Sequence, residues 1–324
     1  MKRFKKILYV LGIEPDASCA LARAVELARA NQAKLAALVV VDKLPADRML
    51  NGMKLTTDTL QQALVDDAER RLCALLDTVG AGDETEVKVA VGTPFLEVVR
   101  EVVCNGRDLV MKCAETTGMV GRLFGSDDMH LLRKCPCPVW LCKPDAGRRY
   151  HRILVAVDAE HFYPRDELRT RHALNLTLLE LAAALAQADG AELDIAYVWS
   201  ALGESVMRST SLPAPAEQIN AYVTTERQRH SRALESLLAE LETIIKARGK
   251  SMPEPTRHLP KGSARSELPT LAGRIHADLV VLGTLGRTGV PGLFIGNTAE
   301  AVLHQVDCSV LAVKPPGFVS PVAC

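Results

Sequence analysis

The chain is one unit written twice, and that duplication limits its fold more than any single motif does. Ile7 to Gly12 (ILYVLG) recurs as Ile153 to Asp158 (ILVAVD) at an offset of 146, and Lys34 to Val41 recurs as Glu192 to Trp199 at 158. Gly92 pairs with Gly262 and Asp108 with Asp278, both at 170, and Gly125 pairs with Gly296 at 171. Offsets that only grow describe a duplication with insertions in the later copy. The extra residues fall between its first and second strands and between its second and third. Copies of about 150 residues can each bury a core. Two domains are therefore expected, residues 1–145 and 149–316, joined by Lys143 to Tyr150 (KPDAGRRY), where turn formers and charges replace any apolar period.

Each copy alternates short apolar strands with amphipathic helices. In the second, Leu234, Leu237, Leu238, Leu241, Ile244 and Ile245 recur at helical spacing; in the first, Leu60, Leu64, Leu72, Leu75 and Leu76 do so less cleanly. Strand and helix alternating in this way predict an α/β fold, a parallel sheet covered by helices on both faces with right-handed crossovers. Both Leu stripes are read as core.

Lysine plus arginine and aspartate plus glutamate balance at 39 each, so no basic excess points to nucleic acid or an anionic membrane as the main partner. At the N-terminus, basic residues precede Ile7 to Val10, but Glu14, Pro15 and Asp16 interrupt the apolar run, so a first strand is expected rather than a signal peptide. No stretch approaches a membrane span, and the expected location is the cytoplasm. Nine cysteines, an odd number, fit reduced thiols. Cys135, Cys137 and Cys142 form the one cluster worth weighing, and a strand opening at Cys137 would carry Cys142 to its far end, too far for a compact zinc site.

The stretch from Asp278 to Pro315 carries the candidate chemistry. Leu279 to Leu282 reads as a strand buried on both faces and bounded by Gly283. Gly286 and Gly296 follow, then Asn297 as an expected N-cap with Glu300 completing a capping box. Glycines admit close backbone approach, and a helix start offers unpaired N–H groups to an anion. The pattern Gly283, Gly286, Gly296 resembles the Gly-x2-Gly-x9-Gly loop of the universal stress protein family, with Asn297 where ATP-binding members have Ser or Thr. His130 to Trp140 (HLLRKCPCPVW) and Gly296 to Glu300 (GNTAE) resemble its tandem members.

That resemblance implies two tandem doubly wound, Rossmann-like sheets of five parallel strands in the order 3-2-1-4-5, related by a pseudo-twofold axis as an intramolecular pseudo-dimer. It leaves open a homodimer of whole chains. The closing strands, Pro138 to Lys143 and Val310 to Lys314, would pair and protect two sheet edges. It also implies ATP or another adenine nucleotide, with magnesium, in the second copy. Asp158 and Val198 would hold ribose and adenine, and Gly283, Gly286, Gly296, Asn297 and Thr298 would line the phosphate loop. Arg287 and Thr288 lie inside that loop, where a guanidinium could neutralise phosphate. The insertion from His161 to Arg171 hangs over the same end of the sheet, with Arg165, Arg169 and Arg171 as a candidate basic lid. A surface loop without a ligand role is the favoured reading of it.

The first copy departs from this pattern. Cys113 and Thr116 replace the first two glycines, and Gly125-Ser126 survives. Asp127 and Asp128 follow at the helix start, where they would satisfy the dipole and repel a phosphate. Gly12 stands where the second copy has Asp158. The first copy is expected to bind no nucleotide triphosphate and to serve as a folding and docking partner or to hold a less charged ligand. His130 and His172, each placed near a helix terminus, assemble no catalytic triad. The resemblance implies a stress-response protein with regulatory rather than catalytic function and unidentified protein partners. A slow magnesium-dependent ATPase, and a scaffold holding another small or lipid-like molecule, are the competing readings.

Overall fold

The computed structural model describes residues 4–12, 18–45, 56–115, 124–160, 162–209, 214–284 and 295–324. Gly286, Arg287, Thr288, Thr116 and His161 lie outside them. The first copy runs β1 (Lys6–Leu11), α1 (Ser18–Asn31), β2 (Lys34–Val41), α2 (Thr57–Thr78), β3 (Thr85–Val91), α3 (Pro94–Asn105), β4 (Leu109–Cys113), α4 (Ser126–Lys134) and β5 (Val139–Cys142). The second runs β6 (Arg152–Ala156), α5 (Arg165–Asp189), β7 (Glu192–Ala196), α6 (Glu204–Met207), α7 (Ala216–Ala247), β8 (Thr256–His258), α8 (Ala264–Arg274), β9 (Leu279–Gly283), α9 (Asn297–Leu303) and β10 (Ser309–Val313).

The chain divides into two compact units. The first holds the first copy together with Asp307–Cys324, and the second holds β6 through β9 with Gly296–Val306. Strands of the first follow the order β3-β2-β1-β4-β5-β10, parallel except that β10 runs antiparallel to β5, with Leu311 opposite Trp140. The closing strands therefore do pair. In the second unit the order is β9-β6-β7-β8, all parallel. Strands β4, β5 and β10 are buried along their whole length. Continuous apolar runs are what a parallel sheet covered on both faces requires.

The repeat is visible bond by bond. Asp108 accepts from the amides of Lys5 (2.7 Å) and Lys6 (3.0 Å), and Asp278 accepts from those of His151 (2.6 Å) and Arg152 (2.9 Å). The Gly92 amide donates to Val41 O at 3.0 Å, and the Gly262 amide to Trp199 O at 2.9 Å. Gly92 at φ +158° and Gly262 at φ +155° hold backbone that side-chain residues rarely adopt, and in each case the next helix folds a glutamate, Glu97 or Glu267, back over the turn.

The helices follow the predicted stripes with one shift. In α7, Leu234, Leu237, Leu238, Leu241 and Ile245 are buried. In α2, Leu72 and Leu76 are buried, but Leu64 is 38% exposed, so the first-copy stripe ends before its N-terminal turns. The insertions of the second copy lengthen helices: α5 has 25 residues against 14 in α1, and α7 has 32 against 22 in α2. The stretch expected to be a surface loop is corrected accordingly, since α5 already begins at Arg165. His172 therefore sits two turns inside a helix rather than at its end.

The cysteine expectation is also corrected. Cys104 of α3 and Cys324 form a disulfide, because the C-terminal tail belongs to the first unit and returns to it; Ser320 Oγ donates to Lys134 O at 2.9 Å. Cys135 and Cys137 lie with their Sγ atoms 3.5 Å apart and buried.

Lys314, at the end of β10, donates to Leu132 O (2.6 Å) and Arg133 O (3.1 Å), two terminal carbonyls of α4. Burial lowers its pKa to about 8. A neutral amine still donates both bonds, so the folded chain releases this proton more readily than the unfolded one does. The sign follows: stability from Lys314 rises with pH from about 8 toward the ordinary lysine range. Denaturant unfolding of wild type and Lys314→Met at pH ~7.5 and ~9.5 should show their difference moving in favour of wild type by on the order of 2 kcal/mol.

Candidate functional site

The second copy builds its site at the carboxyl end of β6. The strand continues its pairing for one residue, with the Val157 amide donating to Ala196 O at 2.9 Å. Asp158 then turns away under a two-way clamp. Its amide donates to Asn175 Oδ1 (3.0 Å), and Asn175 Nδ2 donates to Asp158 O (2.7 Å). Asn175 is buried on α5, so the Asp158 backbone is fixed by the helix that crosses it.

The Asp158 carboxylate accepts from the Glu160 amide (3.2 Å), from Tyr163 Oη (3.2 Å) and from Arg171 Nη1 (2.5 Å). Arg171 also donates to Glu167 Oε1 through Nε (2.8 Å) and Nη2 (2.6 Å), and its guanidinium lies 3.7 Å over the Tyr163 ring. Burial at the strand end pushes the Asp158 carboxyl above the usual carboxylate range, against the pull of Arg171. Burial and the neighbouring carboxylate push the Tyr163 phenol to about 12. A cavity of about 430 Å³ opens beside this group, between α5 and α7, lined by Asp158, Glu160, Arg171, His172, Ser236 and Glu240 among others. His172 Nε2 lies 3.1 Å from Glu240 Oε1 across it.

Of the predicted site residues, Asp158 is central to this arrangement. Val198, Gly283 and Gly296 are not on the cavity wall. Val198 lies two residues beyond β7, and Gly283 ends β9. A Cβ at Gly283 would come within 2.7 Å of Leu174 Cδ2, so α5 packs close on the bare backbone of β9 and a side chain there would require Leu174 to shift. Asn297 is not the N-cap. Gly296 occupies that position in extended backbone, its carbonyl accepting from the Glu300 amide at 2.9 Å, and Asn297 is the first helical residue. Asn297 and Thr298 are both exposed.

Sequence reasoning flagged Arg171 only as part of a lid and missed Tyr163, Glu167 and Asn175. The signal was present: Glu167, Arg171 and Asn175 are spaced four apart, one face of a helix directed back at the preceding strand end.

The first copy fills the equivalent place from within. Lys112, buried in β4, donates to Glu115 Oε1 (2.5 Å) and to Asp128 Oδ1 (2.7 Å), and Asp128 Oδ2 accepts from the Glu115 amide (2.8 Å). Asp128 and Glu115 outweigh the burial that disfavours its charge and hold Lys112 above the ordinary lysine value. Asp128 stands in the first turn of α4, as expected, and is wholly buried against Lys112. Gly125, like Gly296, is the N-cap in extended backbone, and a Cβ there would land on the Glu115 carboxylate. A side-chain carboxylate over Gly125 leaves a phosphate no favourable place there.

The Leu174 contact makes an expected outcome specific. Gly283→Val should lower unfolding stability by roughly 1–3 kcal/mol through overpacking alone, with Leu174→Ala in the same chain recovering part of the loss. Denaturant unfolding of the two variants, without any ligand, is the check.

A sequence model of the universal stress protein family matches residues 3–143 and 149–314, one match for each copy. The chain is 31% identical over 247 residues to universal stress protein E of Escherichia coli strain K12, covering 75% of this chain and 72% of that one. It is 28% identical over 332 residues to universal stress protein E of Photorhabdus laumondii, covering 99% and 98%. A crystal structure of a universal stress protein from Pseudomonas aeruginosa UCBPP-PA14 shares the fold at a TM-score of 0.66 and 23% identity, over 97% of this chain and 94% of that one. One from Archaeoglobus fulgidus does so at 0.61 and 16%, over 96% and 99%. Two matches to one family in one chain, with relatives aligned along its whole length, place it among the tandem, two-domain members: the chain belongs to the universal stress protein family.

Proposed function

We propose that the chain is a cytoplasmic stress-response binding protein whose second copy holds ATP or another adenine nucleotide and whose first copy does not. The reading rests on Asp158. A carboxylate fixed at the end of the first strand, with 42% of its side chain exposed, suits a ribose, whose hydroxyls would donate to it. The glycine loop from Gly283 through Gly286 to Gly296, with Arg287, Thr288, Asn297 and Thr298, would meet the phosphates. Val198 would lie against the base. Asn297, exposed at the first helical position, would present its amide to an anion. Magnesium would then be held by the phosphates rather than by a dedicated protein cage.

Arg171 gives this site its own character. Its charge is divided between Asp158 and Glu167, and a ribose at Asp158 would compete with it for Oδ2. Nucleotide binding would thereby be coupled to the first turns of α5, a local rearrangement that a partner protein could read. The strong side-chain partner of Asp158 is a cation, Arg171, an arrangement that favours regulation over hydrolysis.

Calorimetric titration of ATP with magnesium into the full chain should give a stoichiometry near one. Asp158→Asn should weaken it by about tenfold, and Arg171→Ala should tighten it by releasing the carboxylate. Equal binding in wild type and Asp158→Asn would remove the proposed ribose contact. Absence of binding in every variant would favour the scaffold reading, and phosphate release lost in Asp158→Asn would favour the ATPase.

A further inference from the structure

The first unit has a second cavity, at the same end of its own sheet, which the function above does not use. It measures about 270 Å³ and opens at the carboxyl ends of β1 and β2, between α2, α3 and α4. Its walls are apolar: Val10, Val39, Leu64, Phe95, Val98 and Leu131. The exposed Leu64 that interrupts the stripe of α2 is one of them, an apolar side chain facing a space rather than a neighbour. An unfilled apolar space forfeits the dispersion contacts its lining would otherwise make.

The charges facing it are strongly biased. Asp42 follows β2, Asp67 and Arg71 come from α2, Lys112 and Glu115 from the end of β4, and Asp127 from α4. Among the described residues of the wall four carboxylates thus meet two cations, a net negative charge. Lys112 is bound by Glu115 and Asp128. Asp67 is paired with Arg70 at 3.0 Å on the helix surface, and Arg71 is exposed. Burial and the Glu115 and Asp42 carboxylates raise the pKa of the partly buried Asp127, against the pull of Lys112 and His130. A second anion placed there would be buried among like charges, whereas a cation would relieve them.

We propose that the first copy is itself a ligand-binding domain, whose cavity takes a small apolar molecule bearing a cationic amine rather than a nucleotide or any other anion. The apolar body lies against Val10, Val39, Phe95 and Leu131, and the ammonium group faces Asp127 and Glu115. This is a different ligand, in a different unit, from the adenine nucleotide assigned to the second copy, and the two sites answer separately.

Octylamine, octanol and octanoate share one apolar body and differ only in head group, so calorimetric titration of each into the full chain tests the inference directly. Octylamine is expected to bind once per chain, at least about tenfold more tightly than octanoate, with octanol between. Ala68→Trp, which fills the wall from α2, should abolish all three. Asp127→Asn should reduce the preference for amine over alcohol while leaving octanol unchanged, and excess ATP with magnesium should displace none of them. Octanoate binding as well as octylamine, no binding of any probe, or binding that survives Ala68→Trp would overturn the proposal. Should Ala68→Trp fail to fold by circular dichroism, Asp127→Asn decides alone: an unchanged ratio of amine to alcohol overturns it.

Discussion

The fourth strand of each copy opens on a carboxylate that accepts two successive amides of the first strand, Asp108 from Lys5 and Lys6, and Asp278 from His151 and Arg152. Charge-assisted bonds of this kind contribute roughly 1.5–3 kcal/mol each and hold only one register. Ile7 is thereby set against Leu109 and Ile153 against Leu279. The central strand pair is what every other element builds on. Its helices cover both faces, and its carboxyl ends define where a ligand can sit, so a slip of one residue would exchange the side chains packed under the two helix layers.

On that shared frame the two copies have solved the electrostatics of the strand ends in opposite ways. In the first, Lys112 stands inside the sheet and is neutralised by Glu115 and Asp128, which closes the place over Gly125 and leaves an apolar cavity with an acidic rim beside it. In the second, the carboxylate is Asp158 itself, at the end of the first strand, and the cation comes from Arg171 on the helix that crosses it. A buried charge must have a partner in either arrangement. The choice of which element supplies it determines whether the strand end is closed from within the sheet, as at Lys112, or held from the crossing helix, as at Asp158.

The repeat, the strand and helix alternation and the linker were legible because each depends on patterns local in sequence: apolar runs bounded by glycine, stripes at helical spacing, turn formers without a period. Asp108 and Asp278 could be matched as equivalent from the offset alone. Asn297 was misplaced by one position because Asn is a good cap and Gly a permissive one, and only the Gly296 backbone shows which of the two the chain uses. The insertion after Asp158 read as a loop because its charges obscure the stripe, although Glu167, Arg171 and Asn175 carry helical spacing. Gly283 was assigned to a ligand on motif grounds, and Leu174, more than 100 residues earlier, supplies the packing reason for it.

By itself the sequence determined that two α/β units of one family would form, with parallel sheets and a glycine loop surviving only in the later copy. Those properties follow from periodicity and residue type, which act over a few residues. Tertiary structure alone decided that Arg171 and Tyr163 sit on Asp158, that Glu115 covers Gly125, that Cys104 meets Cys324, and that an apolar cavity lies between α2, α3 and α4. Each of these is a meeting of side chains distant in the chain or turned by a backbone no motif specifies, and no local pattern encodes such a distance.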